Sequence, residues 1–223
     1  MPDGIPVSNF APVKPFSLLL GSLLLVPAAL GEPAVLFSED FTKLPDGELP
    51  DPPFKVLDGQ FKVLAEGEAR FVELPGAPLE SYGFLFGPAN PSGVEVSARI
   101  FGTKTGRKFP TFGVGLNGAS GYRLQLSPAK NALELFRGDE VVATTAFKWA
   151  SGEWTRLSLA LRAEKDGTFL LEGAASVGGP APSTALIRHA ESKLQPAGKA
   201  GAWGMPFSGT PIRFDDLKVT KLD

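Results

Sequence analysis

Hydrophobic and polar residues alternate along much of the chain. In the segment 94–100, apolar side chains occupy every second position and polar or small ones occupy the positions between. The same period of two recurs in the segments 61–65, 112–116, 122–126 and 157–161. Such alternation is typical of antiparallel strands that bury one face and expose the other.

Short turn signals separate these segments and set the predicted fold class. Five of them pair a polar residue with glycine: Asp58-Gly59, Asn117-Gly118, Arg137-Gly138, Ser151-Gly152 and Asp166-Gly167. Many short strands joined by such turns pack as two sheets. The sequence therefore predicts an all-β protein, a two-sheet antiparallel β-sandwich of the jelly-roll kind.

The amino-terminal segment has the layout of a secretory signal. Lys14 precedes an apolar run of about 11 residues, 16–26, and small residues follow at Ala29 and Gly31. The alternative is a single membrane span, but crossing a bilayer takes roughly 20 residues. We therefore predict a cleaved signal peptide at residues 1–31, a mature domain over 32–223, and no membrane span after cleavage.

Composition excludes several kinds of chemistry. The chain has no Cys and a single His, so it has neither a disulfide framework nor the ligands of a multi-histidine metal site. Its formal net charge of -2 provides no basic surface for nucleic acid. A secreted chain without cysteine is typical of the bacterial exterior or periplasm, so this localisation is predicted.

Three segments carry a resemblance to a known fold family. They are Leu36–Phe41, the Gly-x-Trp strand Gly152–Leu161, and the closing segment Ile212–Val219, preceded by Gly201-Ala-Trp-Gly204. Together they resemble the concanavalin A-like, laminin-G-like jelly rolls of secreted bacterial proteins. The resemblance implies the same two-sheet fold, with Trp154 and Trp203 as framework residues of the core.

A narrower resemblance rests on the segment Gly121–Ser127. It is similar to a strand of the 3-keto-disaccharide hydrolase-like family, which Tyr122 and Gln125 match. Arg123 stands where that family has an acid, and Ser127 replaces its Asp. The resemblance implies a glycoside hydrolase as an alternative function.

The Asp215-Asp216 pair interrupts the alternation of the last predicted strand. Apolar residues on both sides of the pair are out of phase by one, which predicts a β-bulge. Related jelly rolls hold a structural Ca²⁺ with acids of the first and last strands, so the resemblance makes Glu39, Asp40, Asp215 and Asp216 the candidate ligands. The alternative interpretation is a solvated acidic strand end.

Candidate ligand-binding residues combine an aromatic ring with polar side chains that point away from the core. Trp149 lies in a loop-like segment and could stack on a sugar ring. The outward positions that could donate hydrogen bonds to hydroxyl groups are Arg99, Arg123, Gln125 and Arg156. The alternative is an ordinary hydrated sheet face.

Catalytic carboxylates are not evident as a motif. Glycosidases need two carboxyl groups on either side of the scissile bond, whereas Glu95, Glu134 and Glu172 lie on separate predicted strands. We therefore predict a secreted, non-catalytic module that binds carbohydrate or another cell-envelope component. The alternatives are the glycoside hydrolase named above and a structural or adhesive domain without a small ligand.

Overall fold

The computed structural model describes residues 1, 33–76, 78, 80–90, 92–180, 182, 184–207 and 209–222. From Pro33 onward the chain forms one compact unit. Except for Met1, the predicted signal peptide and its cleavage site lie outside the described residues. Secondary structure in the described part is almost entirely β, with a single 3-10 turn at Pro128–Lys130.

The described residues form sixteen strands. They are β1 (Val35–Glu39), β2 (Gly47–Glu48), β3 (Lys55–Asp58), β4 (Lys62–Glu66), β5 (Ala69–Leu74), β6 (Tyr82–Asn90), β7 (Val94–Gly102), β8 (Thr111–Leu116), β9 (Tyr122–Ser127), β10 (Ala132–Arg137), β11 (Glu140–Ala146), β12 (Thr155–Ala163), β13 (Phe169–Val177), β14 (Ile187–Glu191), β15 (Gly198–Met205) and β16 (Ile212–Lys221).

These strands form two antiparallel sheets, which confirms the predicted fold class. The nine-stranded sheet has the order β14-β13-β12-β7-β16-β5-β4-β2, and β1 pairs with the second half of β16. The seven-stranded sheet has the order β11-β10-β9-β8-β15-β6-β3. Neighbours in both sheets are often distant in sequence, because the chain passes repeatedly from one sheet to the other.

The core lies between the sheets and is built from the apolar positions of the alternating segments. On β7 and β12, the positions that the pattern assigned to the inner face, such as Val96 and Leu159, are fully buried. Leu124 on β9 contributes from the opposite sheet. A cluster of phenylalanine rings fills one region of this core; it consists of Phe37, Phe41, Phe54, Phe61, Phe84, Phe86 and Phe214.

The predicted β-bulge is present on β16. Its register against β7 shifts between Asp215 and Lys218, and Asp216 has a φ of +49°. The extra residue returns Leu217 to the core-facing side, where it is fully buried. The bulge therefore places two consecutive carboxylates on the outer side of the sandwich without interrupting the core.

Candidate functional site

The structure separates the predicted ligand-binding residues into three places. Arg99 and Arg156 lie on the outer face of the nine-stranded sheet, directly opposite each other on β7 and β12. Arg123 and Gln125 lie on β9, on the outer face of the other sheet. Trp149 follows β11 and lies with neither pair.

Trp149 packs against the core. Its ring meets Phe112 edge-to-face, with centroids 6.2 Å apart, and the side chain is half-buried. Its Nε1 is buried, and within the described part of the chain it has no hydrogen-bond partner. The structure thus does not bring the predicted stacking residue to any of its four predicted partners.

Arg99 and Arg156 are held by the acidic pair of the bulge. Arg99 makes ion pairs through Nη2 to Asp215 (2.5 Å) and through Nε to Asp216 (2.8 Å). Arg156 reaches the same Asp216 oxygen through Nη2 at 3.2 Å. Two carboxylates thus position two guanidinium groups side by side, and the four charges balance.

Trp154 completes this cluster, although the resemblance had assigned it to the core. Its ring lies 4.9 Å from the guanidinium carbon of Arg99 and 5.5 Å from the ring of Phe101. Trp154 directly precedes β12. The first residue of this strand, Thr155, points inward and is fully buried. Strand alternation therefore places Trp154 on the same outer side as Arg156.

An open pocket lies at this cluster, with a volume of about 300 Å³. We call it the Trp154 pocket; its lining residues are Arg99, Glu153, Trp154, Arg156, Gly178 and Gly179. The two arginine side chains are 35% and 24% exposed, so a ligand can reach them. Two glycines after β13 keep one side of the pocket free of side chains.

Hydrogen-bond donors remain available in the Trp154 pocket. Among the described residues, Nη2 of Arg99 and Nη2 of Arg156 donate hydrogen bonds to the bulge carboxylates, and the Nε atom of each is buried without a hydrogen-bond partner. The Nη1 group of each guanidinium can therefore donate to a ligand. Burial raises the pKa of the Asp215 carboxyl, although the hydrogen bond from Arg99 acts in the opposite direction.

The outer face of the seven-stranded sheet carries a different set of residues. One row across five strands contains Gly83, Trp203, Gly113, Gln125 and Glu134. Trp203 therefore also lies on an outer face rather than in the core between the sheets, contrary to the prediction. The ring is largely buried because it lies close against the glycine backbone of neighbouring strands.

Gln125 is engaged in a buried polar chain on this face. Its Nε2 donates to Ser127 Oγ at 3.1 Å, and that hydroxyl donates to Glu134 Oε2 at 2.5 Å. Lys130 Nζ donates to the other oxygen of Glu134 at 2.8 Å. Arg123 lies over the Phe136 ring, 4.7 Å from its centroid. Gln125 is thus committed to its neighbours, whereas Arg123 has only this ring contact and its Nε is buried without a hydrogen-bond partner in the described part of the chain.

The Glu134 contacts predict an acid-dependent loss of stability. Burial alone would raise the pKa of Glu134, but hydrogen bonds from Lys130 and Ser127 outweigh it and lower the pKa below its ordinary value. This contribution to stability is present above the pKa of the unfolded chain and is lost as the pH falls through the folded pKa. We expect urea unfolding between about pH 6 and about pH 3 to show a smaller acid-induced loss in Glu134→Gln than in the wild type.

The exposed Glu68 provides the control for this measurement. Glu68→Gln should lose stability on acidification as the wild type does. Parallel losses in all three proteins would contradict the role assigned to Glu134.

The four predicted calcium ligands are not arranged as a metal site in the described residues. In the part of the chain that the structure describes, no group of three or more His, Asp or Glu side chains is arranged to hold a metal ion. Glu39 instead accepts the Phe41 amide (2.7 Å), and Asp40 accepts the Thr42 amide and hydroxyl. The two bulge carboxylates bind arginines, so the calcium prediction is not supported by the placement of these residues.

Comparisons with known proteins give the fold but not a family. No protein-family model matches the chain, and no curated protein sequence matches it. None of the described residues forms a helix of the length and apolar character that crossing a bilayer requires. Similarity is found among solved structures, of which 114 chains match this one.

Three of these structures show how different the proteins with this fold are. Carbohydrate-binding module CBM66 from Bacillus subtilis is 13% identical, with a TM-score of 0.51, and the match covers 75% of this chain and 95% of that one. The exoplasmic/lumenal domain of VIP36, in a Ca²⁺/Man3GlcNAc-bound form, is 10% identical, with a TM-score of 0.57 and coverages of 79% and 90%. A PL-14 alginate lyase from Aplysia kurodai is 10% identical, with a TM-score of 0.58 and coverages of 84% and 99%.

The fold is a lectin-like jelly roll. At these identities the likeness concerns the fold alone, and the same sandwich serves binding modules and a lyase. The narrower relation to 3-keto-disaccharide hydrolases is not supported by any family match.

Proposed function

We propose that this protein is a carbohydrate-binding module and that its ligand binds in the Trp154 pocket. Solved structures with the same fold include a carbohydrate-binding module and a domain bound to a mannose-containing glycan, which supports this ligand class. Secretion, or residence in a bacterial periplasm, stays part of the proposal.

The observation that carries the proposal is the composition of the Trp154 pocket. Sugars present both apolar C–H faces and hydroxyl groups, so their sites combine an aromatic ring with planar polar groups. Trp154 provides the ring, Nη1 of Arg99 and of Arg156 provide donors, and Asp216 is a nearby acceptor. A volume of about 300 Å³ is at the lower end of small-molecule sites and suits one sugar ring.

A glycan-array screen of the purified protein tests the proposal, with titration calorimetry on the strongest hit. We expect Trp154→Ala to weaken binding by about tenfold, equivalent to about 1.4 kcal/mol, because the ring contact and the packing of Arg99 are both lost. Trp149→Phe is the matched control and should bind as the wild type does, since Trp149 packs on the core.

Two results would overturn this assignment. Silence across the array would exclude the carbohydrate ligand and favour an adhesive role through a protein partner. Binding that is lost in Trp149→Phe but kept in Trp154→Ala would move the site to the loop after β11.

A further inference from the structure

A second pocket of about 210 Å³ lies on the same outer face as the Trp154 pocket. We call it the Glu95 pocket. Its floor is one row across four strands, in which Glu95, Ala160, Glu172 and Arg188 are paired in register. Ala160 is small, so it leaves a depression between the two glutamates.

The two pockets are neighbours along β12. Arg156 lines the first and Ala160 the second, which places them four residues or about 13 Å apart on one strand. The row between them contains only small side chains near β12, namely Ser97, Ser158 and Ala174. On β7, β12 and β13, no large side chain of this row therefore stands between the pockets; its first long side chain, Lys218, lies beside Ser97 on β16.

A single loop borders both pockets. The segment after β13 contributes Gly178 and Gly179 to the Trp154 pocket, and then Pro182 and Thr184 to the Glu95 pocket. The Ser176 hydroxyl donates to the Pro180 carbonyl at 2.8 Å, which attaches this loop to the sheet between its two contributions. The described residues of this loop thus border both pockets on the side of β13.

Charge in the Glu95 pocket is balanced. Arg162 Nε and Arg188 Nε lie 3.2 and 3.0 Å from the two oxygens of Glu172. Glu95 is partly desolvated, and this burial raises the pKa of its carboxyl although Arg162 and Lys218 act in the opposite direction. Two acids and two arginines line the pocket, which suits hydroxyl groups better than a charged ligand.

We propose that the two pockets form one groove along β12 and that it binds a neutral oligosaccharide of at least two sugar units. This inference rests on the proposed function and specifies its ligand. One sugar occupies the Trp154 pocket, and the next unit lies over Ser158 in the Glu95 pocket, where carboxylates and guanidinium groups contact its hydroxyls.

Titration calorimetry with a chain-length series tests the groove. The probes are glucose and mannose and their neutral linear oligomers of increasing length. We expect trisaccharides of the preferred sugar to bind about tenfold more tightly than the monosaccharide, a gain of about 1.4 kcal/mol. Ser158→Trp should abolish this gain and leave monosaccharide binding intact, because Ser158 lines the Glu95 pocket and not the Trp154 pocket.

Ser38→Trp is the matched control, since Ser38 lies in the same row of the same sheet but on β1, outside both pockets. Ser38→Trp should still bind the trisaccharide about tenfold more tightly than the monosaccharide. Thr184→Trp narrows the Glu95 pocket from the loop wall and serves if Ser158→Trp does not fold; thermal melts monitor folding.

The possible outcomes are distinct. A trisaccharide that binds no tighter than its monosaccharide, or a gain that survives in folded Ser158→Trp and Thr184→Trp, would overturn the groove and leave the Trp154 pocket standing. An absence of binding at every length would overturn the proposed function itself.

Discussion

Phe84→Ala is expected to destabilise the protein by about 3–5 kcal/mol, the range for removing a fully buried aromatic ring. Phe84 lies on β6 with no solvent exposure, and its ring is within 6.0 Å of four other phenylalanine rings. One of them, Phe214, belongs to the opposite sheet. The substitution therefore opens a cavity at the junction of the two sheets and also removes ring–ring contacts.

Urea unfolding followed by tryptophan fluorescence measures this loss. Phe109→Ala is the control, because Phe109 is a half-buried ring in the segment between β7 and β8 and is not part of the core cluster. Phe109→Ala should lower the free energy of unfolding clearly less than Phe84→Ala does. Equal losses in the two variants would show that the phenylalanine cluster does not hold the sheets together.

Gly201→Ala should destabilise the protein by about 1–3 kcal/mol through overpacking. A Cβ atom at Gly201 would lie 2.3 Å from the Trp203 ring and 3.0 Å from Leu85. The Trp203 ring is packed just as closely against Gly83 and Gly115, since a Cβ atom at either position would lie 2.8 Å or less from it. The indole therefore cannot shift towards another glycine, and the backbone has to move instead.

The measurement is again urea unfolding, supplemented by the near-ultraviolet circular dichroism of the tryptophans. Gly179→Ala is the matched control, because the nearest atom to its added Cβ is 3.6 Å away, an ordinary contact. We expect Gly179→Ala to change stability little. A stable Gly201→Ala with an unchanged tryptophan signal would contradict the close packing of Trp203 on the glycines.

The bulge shows how far the sequence pattern reaches. The phase break around Asp215 and Asp216 predicted an inserted residue, and the structure has one. What the pattern left open was the partner of these carboxylates. Arg99 is 116 residues from Asp215 in the chain, and only the pairing of β7 with β16 brings it within reach.

Trp154 was predictable from the residues themselves. The alternation that turns Leu157 inward and Arg156 outward continues back to Trp154 and places it outward. Reliance on the Gly-x-Trp resemblance gave the opposite answer. Trp149 has no such pattern, because it lies between strands, so its packing against Phe112 could be obtained only from the structure.

The sequence alone determined the alternating strands, such as β7, β9 and β12, with their buried faces and the two-sheet class, because alternation along one strand is a local property that burial enforces. Only the tertiary structure decided which sheet each strand joins. Arg99, Arg123 and Arg156 look equivalent in the pattern, yet strand order puts the first and third together and the second on the opposite side of the molecule. A binding site depends on such non-local pairings, and a period of two carries no information about them.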